Sequence, residues 1–109
     1  MRPLFILALS LFVASSAHAG MGAMRCYQKL GTLDVLMSQD DALKLCEGAK
    51  SDAPAACFEH VLKNVDSIVI DDAVSLCRGA TSKEPAECLV SLLKTNGPTA
   101  GETGIRLCR

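Results

Sequence analysis

Asp40 to Lys63 reads DDALKLCEGAKSDAPAACFEHVLK, and the pattern returns from Asp71 to Lys94 as DDAVSLCRGATSKEPAECLVSLLK, an offset of 31 in the numbering. Thirteen of these 24 aligned positions are identical, among them Cys46/Cys77, Gly48/Gly79, Ser51/Ser82, Pro54/Pro85 and Cys57/Cys88. Self-similarity at a fixed period marks a repeated supersecondary unit, and the residues predict its shape. Ala42, Leu45, Cys46 and Ala49 fall at i, i+3, i+4 and i+7, the apolar stripe of an amphipathic helix. Asp40 and Asp41 stand at its start, where carboxylates cap open N–H groups and suit the helix dipole. Gly48 sits where a left-handed stop belongs. Ser51 then offers an N-cap, and Pro54 is tolerated in the first turn of the next helix because its missing N–H has no partner there anyway. Cys57, Val61, Leu62 and Val65 form the second stripe. The expected fold is all-α: short αα-hairpin repeats, their period of 31 set by Asp40 and Asp71, stapled by disulfides.

The flanks extend the pattern. Met24 to Leu30 matches the beginning of the second helix, and Glu102 to Cys108 matches the end of the first, so the chain opens and closes in mid-repeat. The third unit is the weakest. Asn96-Gly97-Pro98 and Gly101 predict a loop, followed by one short helical turn into Cys108. Glu47 aligns with Arg78, Asp52 with Lys83, Ala56 with Glu87 and His60 with Ser91. Such reversals of charge and polarity are tolerated by solvated positions rather than by a core. Met37 is expected in the core, and Met21 and Met24 in a loose N-terminal tail.

Residues 1–19 predict a signal peptide. Arg2 supplies the positive n-region, Leu4 to Val13 an apolar run of ten, and Ala17-His18-Ala19 the A-x-A cleavage pattern. Ten residues reach only about 15 Å as a helix, half of the roughly 30 Å hydrocarbon core, which disfavours an anchor. Cleavage after Ala19 leaves residues 20–109 as a single small helical repeat domain with three C-x19-C units, in the periplasm or outside the cell. That part carries ten Lys and Arg against twelve Asp and Glu, with Tyr27 and Phe58 its only aromatics. A nucleic-acid site needs a basic groove and stacking rings; the sequence has no basic stripe and only these two rings, so no nucleic-acid partner is expected.

Six cysteines, Cys26, Cys46, Cys57, Cys77, Cys88 and Cys108, are separated by steps of 20, 11, 20, 11 and 20. An even number at regular spacing in a small exported chain predicts a disulfide framework. One periodic scheme closes the long gaps, Cys26–Cys46, Cys57–Cys77 and Cys88–Cys108. The other closes the short ones, Cys46–Cys57 and Cys77–Cys88, and leaves Cys26 and Cys108 at opposite ends. Helix geometry alone allows both. The first is preferred because it uses every sulfur and because the chain stops one residue after the third unit is closed.

Function is less legible. Soft-metal and thioredoxin-type sites favour closely spaced thiols such as C-x2-C, and the shortest spacing here is x10. His60 is the one histidine after residue 19 and aligns with a serine, so no catalytic residue, metal ligand or cofactor site is expected. Saposin-like domains and Sel1-type repeats are also helical and cysteine-bridged, but their cysteine spacings differ, and no family is assigned. The expected protein is not an enzyme but a non-catalytic protein-binding or structural module with an unidentified protein partner. The alternatives are a membrane-active, toxin-like peptide and a thiol-based metal binder.

Overall fold

The structure, a computed structural model, describes residues 20–109; the expected leader, residues 1–19, lies outside the described residues. Six α-helices and no strand are found among the described residues. They are α1 (Met21–Gly31), α2 (Gln39–Cys46), α3 (Ala53–Asn64), α4 (Ile70–Cys77), α5 (Glu84–Asn96) and α6 (Gly101–Cys108). A short 3-10 turn, Pro98–Ala100, joins the last two.

Each even-numbered helix pairs with the odd-numbered helix before it, and successive pairs pack in a row: α3 touches both α1 and α5, and α4 touches both α2 and α6. The core runs along this row. The α2 stripe is buried at all four predicted positions, Ala42, Leu45, Cys46 and Ala49. Ala73, Leu76 and Cys77 of α4 are buried in turn, and Phe58 and Val61 of α3 are fully enclosed between the helix pairs. Met37 is half-buried and packs against this cluster. Short helices with alanine-rich contacts enclose little apolar area each, so covalent ties carry much of the fold's cohesion.

Local signals explain the helix ends, with three corrections. Gly48 and Gly79 have φ of +73° and +75°. This left-handed conformation penalises any Cβ and terminates the short helix as expected. The first correction concerns the caps. Ser38, not an aspartate, caps α2, its Oγ accepting from the Asp41 N–H at 3.1 Å. Asp40 and Asp41 lie within the first turn, where their charge still faces the positive end of the dipole. Ser51 stands one residue before the N-cap position of α3 yet performs similar chemistry, accepting from the Ala53 N–H at 3.1 Å, as Ser82 does from Glu84. Pro54 and Pro85 occupy the first turns of α3 and α5 as expected.

The second correction is at the N-terminal end. Met21 and Met24 belong to α1 rather than to a tail. Gly22 permits this by bringing α1 against the backbone beyond α2: a Cβ there meets Lys50 and Ala49 main-chain atoms well inside contact distance. Backbone cannot rotate away as a side-chain tip can, so Gly22→Ala is expected to cost about 1–3 kcal/mol, the usual scale of overpacking. Gly31→Ala, where nothing lies within 4 Å of the added carbon, is the control. Equal urea midpoints for the two variants would contradict this packing.

The third correction is at the other end. α5 continues through Asn96, Gly97 turns the chain with φ of +82°, and α6 then makes eight residues of helix rather than a single turn. Gly101 opens this helix in ordinary right-handed geometry, and the i,i+4 pair Glu102–Arg106 lies along its exposed side.

Candidate functional site

The most definite chemistry in the chain is that of its sulfurs. Cys26 bonds Cys46, Cys57 bonds Cys77, and Cys88 bonds Cys108, each across a sequence separation of 20 and a Cα–Cα distance of 5.5 Å. The first periodic scheme is therefore the one formed, and no free cysteine remains. The bridges join α1 to α2, α3 to α4 and α5 to α6, tying the two helices of each pair near the same end. Geometry separates the two schemes where sequence spacing could not. The reversal at Gly48–Ser51 lets α2 and α3 meet, but Cys46 and Cys57 each face a different partner helix. Oxidised sulfur offers no thiolate, so these six residues neither ligate a soft metal nor attack a carbonyl.

The ionisable side chains lie largely on the surface. The aligned pairs Glu47/Arg78 and Asp52/Lys83 are exposed throughout, as charge reversal implied. Ala56 and His60 are half-buried, while their aligned partners Glu87 and Ser91 are exposed. Glu59 on α3 lies 3.9 Å from Lys29 of α1 and 3.8 Å from Lys63 one turn along its own helix. This small network links neighbouring helices, and Glu59 and Lys63 also border a concavity lined by Leu33, Val35 and Leu62. Among the described residues, no group of three or more His, Cys, Asp or Glu is placed to hold a metal ion, and no helix is long and apolar enough to cross a membrane.

A concavity of about 360 Å³ opens between the α3–α4 connection and the α5–α6 pair. Val65, Ile68, Leu89, Leu93 and Ile105 supply apolar lining, and Asp66, Asp72 and Glu102 bring carboxylates to it. A second groove, at the opposite end of the row, is lined by Ala23, Tyr27, Leu43, Cys46 and Glu47. Tyr27 and Leu43 are among the large apolar side chains that remain exposed, together with Met21, Met24, Leu36, Val69 and Leu107.

Sequence reasoning did not single out these exposed residues. Periodicity treats every unit alike, so it assigns Tyr27 the environment of Phe58, and Leu107 that of Leu76. Whether such a position is covered depends on a neighbouring helix pair, which periodicity does not report. The same reason accounts for the third unit's stripe, where Cys88 is exposed and Leu92 and Leu93 are only half-buried. Comparison of the chain with protein-family models, with curated proteins and with solved structures found no match in any of the three.

Proposed function

We propose that the chain is an exported, disulfide-stapled stack of repeated αα-hairpins, one per sequence period, acting as a non-catalytic protein-binding or structural module. The observation that supports this most directly is the placement of the bridges. Each ties one hairpin to itself, and none ties one hairpin to the next. Every unit is thus individually stiffened, while the row between units is held by apolar packing such as Phe58 and Leu76. Stacked hairpins of this type present extended surfaces whose residues vary freely while the frame stays constant. The exposed pairs Glu47/Arg78 and Asp52/Lys83 are variable in this sense.

Three intramolecular disulfides are compatible with an oxidising compartment and fit the leader expected over residues 1–19. Expression of the full chain with its own leader tests export, cleavage and function together. Intact mass after recovery from the envelope or medium is expected to correspond to a chain beginning at Gly20 with all six cysteines oxidised. Crosslinking before lysis is expected to capture a discrete protein partner or a second copy of the chain. Retention in the cytoplasm in reduced form, or turnover of a substrate by the purified chain, would defeat the proposal.

A further inference from the structure

Positions one sequence period apart occupy corresponding places in the hairpins, yet at the two ends of the row their exposure reverses. Tyr27, on the outer side of the first hairpin, is 45% exposed, whereas Phe58 is 0% exposed. Met24 and Leu43 are likewise exposed beside it, and their counterparts Ala55 and Val74 are buried. At the other end Leu107 is 70% exposed, whereas Leu76 and Leu45 are at 1% and 0%. Cys88 is exposed there too, while Cys57 is buried.

Terminal units of a stacked array ordinarily carry polar outer faces; both ends of this one expose large apolar side chains, Met24, Tyr27 and Leu43 at one and Leu107 at the other. The two faces also differ in kind. The Tyr27 face corresponds to what each later hairpin presents to its predecessor, and the Leu107 face to what each earlier hairpin presents to its successor. Surfaces related in this way complement each other rather than themselves, which makes their contact heterologous.

We propose that the chain associates head to tail with copies of itself, the Leu107 face of one copy seating on the Tyr27 face of the next in the register of the internal stack. The proposal rests on the stacked-hairpin function above and specifies one partner for it. Charge supports the register. Within the chain, Arg109 Nη1 donates to Ser75 Oγ at 3.1 Å, joining the third hairpin to the second. Advanced by one unit, that contact sets Arg106 of one copy opposite Glu47 of the next, two exposed side chains of opposite charge. The contact between Lys29 and Glu59, advanced by two units, sets Ser91 of one copy opposite Gln28 of the next, which brings no like charges together. Repeated, the contact gives an open filament or a closed ring, depending on the rotation between successive copies.

The test uses the full chain expressed with its own leader and recovered oxidised, beside Tyr27→Glu and Leu107→Glu. Sedimentation velocity is expected to show wild-type mass growing with concentration. Each variant alone is expected to stay monomeric, association being weakened at least about tenfold because a charge must be buried against an apolar face. Mixing the two variants is expected to give a one-to-one dimer that grows no further, because that pair retains one working face of each kind. Both sites are exposed, so circular dichroism and intact mass are expected to show unchanged helix and three bridges.

A wild-type chain that is monomeric at every concentration, with helix and bridges intact, overturns the self-association and leaves the stacked hairpins standing. So does a Leu107→Glu variant that still dimerises alone, or a variant mixture that yields no dimer. A wild-type chain lacking helix or bridges overturns the stack and the self-association together.

Discussion

Replacing Cys57 and Cys77 together with serine is expected to remove most of the protein's stability. Closing a loop of about 20 residues restricts the unfolded chain by an amount worth roughly 3 kcal/mol. Both sulfurs are wholly buried in the middle of the row, so the two serine hydroxyls enter an apolar setting, at about 1–3 kcal/mol for each one left without a partner. Against a typical domain stability of about 5–15 kcal/mol, that loss leaves little margin. The comparison that sharpens the test is Cys88→Ser with Cys108→Ser. Its loop has the same length, so the chain-entropy contribution is the same, but Cys88 is exposed and a hydroxyl there reaches water. Urea titration followed by circular dichroism is expected to place the middle-bridge variant at the lower midpoint. Under a mild reductant, mass spectrometry after alkylation is expected to find Cys88–Cys108 opened first. A reversed order in either experiment would show that burial does not rank the bridges.

Phe58→Ala is the other change expected to have a large effect. Phe58 is the largest fully buried side chain in the core, and truncating such a residue costs about 3–5 kcal/mol through lost transfer energy and the cavity left behind. Tyr27, 31 positions earlier in the sequence, is nearly half exposed. Tyr27→Ala is therefore expected to shift the monomer's stability by less than about 1 kcal/mol, in the range of surface substitutions. Denaturant midpoints measured at low protein concentration separate the two. Similar losses for both would mean that Phe58 does not hold the row together as its burial implies.

The contrast between Tyr27 and Phe58 also marks the boundary of what the sequence discloses. The helical stripes were legible at Ala42, Leu45, Cys46 and Ala49 because an i, i+3, i+4, i+7 pattern has few other physical realisations. The stops at Gly48 and Gly79 were legible because left-handed backbone selects glycine. Pairing of the cysteines was only partly legible: spacing reduced it to two periodic schemes, and the direction in which each sulfur leaves its helix chose between them. Capping by Ser38 escaped notice because the neighbouring pair Asp40 and Asp41 offered the stronger local signal. The length of α6 escaped notice because Asn96-Gly97-Pro98 and Gly101 read as breakers, although Gly101 opens the helix and Gly104 fits where a Cβ would press on Leu89 and Leu92. The outward apolar faces were invisible for a different reason. Exposure is a property of what lies alongside, and no pattern within one strip of chain encodes it.

The order of the sulfur bonds bears on how the protein is made. Each bridge joins a cysteine to the next one along the chain, so no bond encloses or crosses another. A polypeptide entering an oxidising compartment amino end first can seal each ring before the following pair of thiols arrives. Closure in that order leaves few free thiols from which a mispaired bond could form.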